Sequence, residues 1–161
     1  MPWLPCPAAP VRKSILVKTP DDISVLNNWL AGGHFERHRI SFAVRRSSLE
    51  IPVYRVEREH RRVVGGIPLF RKYLVPVEEW FLHIANVKNF QVHPVHPERK
   101  EGEDIINAMH YDGVRQRVEL TAAFSRGIDV QVGKFEVELI DTGRVVRERV
   151  EGPLTRFFYY H

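Results

Sequence analysis

The chain has 161 residues, of which 43% are hydrophobic and 27% charged, with one cysteine and a formal net charge of +4. A single cysteine excludes an intramolecular disulfide and a thiolate zinc cage, and fits a reducing compartment such as the cytoplasm. No apolar run approaches the roughly 18 residues that a spanning helix needs, so a soluble chain with no membrane partner is expected.

Valine outnumbers leucine 21 to 11, and aromatic residues reach 11%. β-branched and aromatic side chains suit a pleated, half-buried surface, whereas a helical chain leans on leucine and alanine. The expected fold is therefore mainly β (α+β): an antiparallel β-sandwich, strongly curved sheet or half-barrel with one N-terminal helix packed on it. Residues 1–13 read as a proline-rich arm, and residues 14–161 as a single globular β-rich domain.

In chain order, Ser14-Ile15-Leu16-Val17 reads as a short strand. Thr19-Pro20-Asp21-Asp22 then gives a cap, a proline where its missing N–H costs nothing, and acidic charge at the positive end of a helix dipole. Ile23, Leu26, Trp29 and Leu30 recur at helical spacing and Gly32-Gly33 supply a stop, which predicts a helix over about 20–31 that lays Leu26, Trp29 and Leu30 on a sheet. From Arg37 the period becomes two. Ile40, Phe42 and Val44 form one run, Leu49, Ile51 and Val53 another, with a turn at 45–48 between them. Pro52 cannot donate to a ladder and suggests an edge strand or a bulge. Gly65-Gly66 suits a two-residue hairpin between 61–64 and 67–75, and 79–87 is apolar enough on both faces for a central strand. The polar stretch 93–104 reads as a long exposed loop. The runs 105–111, 114–124, 128–132 and 135–140 alternate strictly around Asp112-Gly113, Ser125-Arg126-Gly127 and Gly133, predicting an antiparallel meander with one wet face. Arg144 to Val150 reads as a further strand or a charged return.

Charge is distributed unevenly. Residues 1–76 carry thirteen basic and six acidic side chains, while residues 77–161 carry eleven and fourteen. Arg37, Arg39, Arg45, Arg46, Arg55, Arg58, Arg61 and Arg62 fall in one run with Phe42 and Tyr54 between them, a pattern that could track a single-stranded nucleic-acid backbone and stack bases. Glu50, Glu57 and Glu59 interrupt it, and cross-strand Arg–Glu pairs produce the same composition with no ligand.

His34, Glu36 and His38 would share one face of an extended segment, and their N, O and N donors could hold zinc with an open position for metal-dependent hydrolysis. A histidine just after a helix also has a purely structural use at the dipole's negative end. No phosphate-binding loop, nucleophile elbow or two-histidine zinc helix is present, so catalytic residues are not assignable and no cofactor is expected. The tail Phe157-Phe158-Tyr159-Tyr160 is too apolar to be left in water without cost and reads as a docking segment. With no catalytic signature, the sequence favours a non-catalytic binding or assembly module that acts through protein contacts or self-association; nucleic-acid binding is the alternative and the metal-dependent hydrolase the second alternative.

Overall fold

A computed structural model describes residues 13–96 and 102–152. Its strands are β1 (Ser14–Val17), β2 (His34–Glu36), β3 (Ser41–Ala43), β4 (Ser48–Val56), β5 (Arg62–Gly65), β6 (Lys72–Ile84), β7 (Val87–Val92), β8 (Glu103–Asp112), β9 (Arg117–Ala122), β10 (Ile128–Val132) and β11 (Val137–Glu151). All pair antiparallel, along the path β1-β11-β6-β4-β2-β8-β9-β10-β7, with β3 added to β4 and β5 to β6.

The sheet is not closed into a barrel. β6 and β7 are consecutive in sequence, two residues apart, yet lie near opposite ends of this path. A two-residue link between distant strands requires the sheet to curl back on itself, so that its halves face each other. One core fills the space between them: Leu49, Ile51 and Val53 of β4, Leu82 and Ile84 of β6 and Leu139 of β11 meet Met109 of β8, Leu120 of β9 and Val130 of β10. The alternation read from the sequence is what this requires, with one side chain in two turned inward.

The expected helix forms as a 3-10 turn over Pro20–Asp22 that runs into α1 (Ile23–Leu30), but Thr19 does not cap it through its side chain: its hydroxyl donates to Asp22 Oδ2 at 2.7 Å. Leu26 and Leu30 are fully buried, and Trp29 packs on Trp80 with ring centroids 5.1 Å apart. Gly32 takes φ +79°, the left-handed stop that glycine accepts without strain. The Asn27 carboxamide donates to the Met109 carbonyl at 3.0 Å and accepts from the Met109 N–H at 2.7 Å, docking the helix on β8.

Four expectations change. Pro52 lies in β4, which is internal to the path and not an edge. β3 pairs with residues 48–50 and β2 with residues 53 and 54, so Pro52 sits in the gap between them, where no ladder partner needs its missing N–H. The chain is extended only to Glu36; Arg37–Arg39 is a 3-10 turn closed by the Ile40 N–H on the Arg37 carbonyl. Gly65-Gly66 do not form a two-residue hairpin. Gly66 has φ +91° and the connection continues through Arg71, with the Phe70 N–H donating to the Ile67 carbonyl. Finally, β8, β9 and β10 form the meander, but β11 leaves it to pair with β6 and β1, and the charged 144–150 run is the second half of this fifteen-residue strand. The proline-rich arm up to residue 12 and the aromatic tail 157–160 lie outside the described residues.

Candidate functional site

Three arrangements of polar or exposed side chains stand out. The first ties down the 93–96 segment. Asp104, on β8 beside Phe35, is almost fully buried. Its Oδ2 accepts from Arg37 Nη2 at 2.6 Å and from the Ser125 hydroxyl at 2.7 Å, and its Oδ1 accepts from the backbone N–H groups of Ile105 and Phe124. Arg37 also donates to Ser125 Oγ, and its Nε donates to the His93 carbonyl at 2.8 Å. The His93 ring, itself buried, meets Asp129 at 2.7 Å. Burial pushes the Asp104 carboxyl up, but Arg37, Ser125 and the two backbone N–H groups outweigh it and hold the group below its ordinary value. His93 therefore begins not an exposed loop but a segment pinned through its carbonyl, its ring and its N–H on Gly127.

The second lies where β11, β6, β4 and β2 cross. Arg144, Glu79, Tyr54 and His34 occupy one row of register. Glu79 is only 1% exposed and neither carboxylate oxygen has a hydrogen-bond partner; Arg144 and Arg39 approach at 3.6 and 3.8 Å. Arg39 also donates to the Tyr54 hydroxyl, while Arg147 pairs with Glu103. Burial raises the Tyr54 phenol, and the carboxylates of Glu36, Glu79 and Glu103 add to the rise against the opposing effect of Arg39. The Arg39 and Arg144 side chains remain 45% and 68% exposed, so both can rehydrate once the carboxylate is gone. Glu79→Gln is accordingly expected to shift folding free energy by less than about 1 kcal/mol, as exchanging an imperfectly compensated buried charge often does. Urea midpoints of the two proteins check this; a large loss would mean the two arginines depend on Glu79.

The third is a projecting β-arm. β4 ends opposite Val77, and beyond that point the sheet consists only of β5, the first part of β6 and the last part of β11. Val63 and Val64 on β5, and Ile67, Leu69 and Phe70 in the connection, are at least half exposed, Leu69 at 82%. Residues 60–77 contain Arg61, Arg62, Arg71 and Lys72 and no carboxylate. Among the described residues Arg62 meets Glu148 at 3.7 Å and Arg61 lies 4.5 Å over the Tyr73 ring, while Arg71 and Lys72 form no ion pair.

No protein-family model matches the chain, and it matches no curated protein and no solved structure.

The basic run from Arg37 to Arg62 is not one face. Arg37, Arg39, Arg58 and Arg62 are taken by Asp104, Glu79, Glu151 and Glu148, and Arg55 lies 4.3 Å over the Trp29 ring. Arg45 and Arg46 project from a separate 3-10 turn after β3. His34, Glu36 and His38 are likewise divided, because the turn at residue 37 ends the extended segment that would have aligned them. His34 Nδ1 faces Glu103 at 3.4 Å, and His38, 79% exposed, faces Glu36 at 3.6 Å. Among the described residues, the group of three metal-ligating side chains whose ligand atoms all lie within 4.8 Å of one another is Glu57, His60 and Glu78. Of these, Glu57 already accepts the Glu59 N–H, and burial together with Glu57 raises the Glu78 carboxyl. A shallow depression outside β7, β9 and β10 is lined by Asn89, Phe90, Gln91, Arg117, Asp129 and Gln131. No helix among the described residues is long and apolar enough to cross a membrane.

Sequence reasoning missed the Asp104 and Glu79 clusters and the apolar arm tip. Of these only the tip left a local trace, the carboxylate-free run 60–77 with Ile67, Leu69 and Phe70 inside it.

Proposed function

We propose that the chain is a non-catalytic protein-binding module whose contact surface is the projecting arm. The observation that carries this reading is the group of large apolar side chains on the arm, exposed among the described residues while a complete core exists elsewhere. Fully burying one such side chain is worth about 1.5–3 kcal/mol. Five of them on one projection is a pattern suited to an interface, where apolar anchors and arginine concentrate. The polar clusters speak less for chemistry: Asp104 and Ser125 are saturated by structural hydrogen bonds, and the metal trio expected at residues 34–38 is split into two pairs.

A photoreactive benzoylphenylalanine at Leu69, compared with the same residue at Val114, tests the reading. Val114 is 96% exposed on the β8–β9 hairpin and serves as an equally accessible control. Irradiation in extracts of the expressing cell is expected to give discrete protein adducts from position 69 and none from position 114. An adduct of twice the 18.8 kDa chain mass identifies self-association. No adduct from position 69, or the same adducts from both positions, would sink the reading.

A further inference from the structure

Resting on the arm as the contact surface, we infer that its partner is an extended, acidic and apolar polypeptide segment that adds to β5 as a further strand. β5 pairs with β6 on one side only, all four of its residues are exposed, and among the described residues nothing covers its other edge. An open edge presents unpaired N–H and C=O groups, a ready template for strand addition. Side chains fix what kind of strand fits. Val63 and Val64 offer apolar contact at the edge, with Ile67, Leu69 and Phe70 beyond it. Arg71 and Lys72, which form no ion pair among the described residues, lie in the same run, with no carboxylate between residues 60 and 77, while Arg61 and Arg62 are engaged with Tyr73 and Glu148. A segment alternating apolar and acidic residues complements both.

The same facts disfavour two other occupants. A second copy joined β5 to β5 would bring two carboxylate-free basic runs together, and like charges across an interface oppose association. A lipid surface would take the apolar tip and the basic collar but cannot hydrogen-bond the strand edge, whereas a polypeptide strand can.

The test uses the full chain and a capped ten-residue peptide of alternating valine and glutamate, labelled with fluorescein. Amide hydrogen exchange at the β5 positions whose N–H groups point away from β6 is expected to be fast in the free chain and to slow at least tenfold with the peptide. A valine-lysine peptide, and a valine-glutamate peptide N-methylated at consecutive amides so that neither strand edge can donate, should each bind at least tenfold more weakly by fluorescence anisotropy. The double variant R71E/K72E should reverse the preference between the glutamate and lysine peptides, a result that mere loss of folding cannot give. Equal binding of the N-methylated peptide would reduce the contact to side-chain docking and overturn the inference. Protection of those outward-facing amides in the free chain would mean the edge is already occupied, and vesicles of phosphatidylcholine with 30% phosphatidylserine binding in preference to the peptide would assign the arm to lipid; either result overturns it as well. Adducts from position 69 combined with any of these negatives leave the arm a protein contact of another kind, while failure of the adducts removes the underlying reading.

Discussion

Asp104→Ala is expected to cost about 3–5 kcal/mol of folding stability, the range for removing one partner of a buried ion pair. Two effects combine. The Arg37 guanidinium, only 17% exposed, would be left without its carboxylate, and the N–H groups of Ile105 and Phe124 would lose their acceptor. Asp104→Asn should cost less, because a carboxamide oxygen can still accept the two backbone N–H groups while the ionic bond to Arg37 disappears. The pH dependence separates these contributions. With its folded-state value held below the ordinary aspartate value, Asp104 binds fewer protons in the native than in the unfolded chain. Its contribution is therefore complete above the unfolded value of about 4 and is lost as pH falls through the lower folded value. Urea unfolding at pH 7 and pH 3 should show the gap between native chain and Asp104→Asn narrowing at the lower pH. A gap independent of pH would show that the charge on Asp104 does not stabilise the fold.

Why this cluster was invisible in the sequence follows from its construction. Arg37, His93, Asp104, Ser125 and Asp129 come from β2's exit, two loops and two strands, and no local spacing relates them. What the sequence carries well is information written within one element. Pro20, Asp21, Asp22 and Gly32 bracket a helix because a fixed φ, acidic charge in the first turn and a positive φ all act within a turn, and the alternation from Val118 to Leu139 tracks which side chains face one core. Information set by pairing is lost. Pro52 reads as an edge proline until the gap between the β2 and β3 ladders is seen, and the basic run reads as one surface until Asp104, Glu79, Glu148 and Glu151 claim its arginines. β7 carries no strand signal of its own, because Lys88, Asn89 and Gln91 leave it little apolar periodicity. The arm lies between these extremes: its apolar composition is local, but that β4 stops and leaves it projecting is a fact of register.

Asn27→Ala should lower stability by about 2–4 kcal/mol, on the reasoning that two backbone groups of fully buried Met109 would each forfeit a partner worth about 1–3 kcal/mol. The size of the effect comes from how β8 is supported. One side of β8 is covered by β9, but on the other β2 pairs only with residues 103–105, after which Gly32 and Gly33 exchange hydrogen bonds with Ile106. At Met109 there is no further strand among the described residues, and the Asn27 carboxamide, using one N–H and its oxygen, takes the place of a single residue of ladder. Alanine favours helix by up to about 0.7 kcal/mol over asparagine, a gain too small to offset the loss. Asn27→Asp separates the two bonds: its carboxylate can still accept the Met109 N–H but cannot donate, and it turns a negative oxygen toward the Met109 carbonyl. It is therefore expected to remain destabilised. Helix α1 should stay seated through Leu26, Leu30 and the Trp29–Trp80 contact, so the change should appear as faster amide exchange at Met109 together with a lowered urea midpoint. An unchanged midpoint with unchanged Met109 exchange would show that the carboxamide is not what closes this edge.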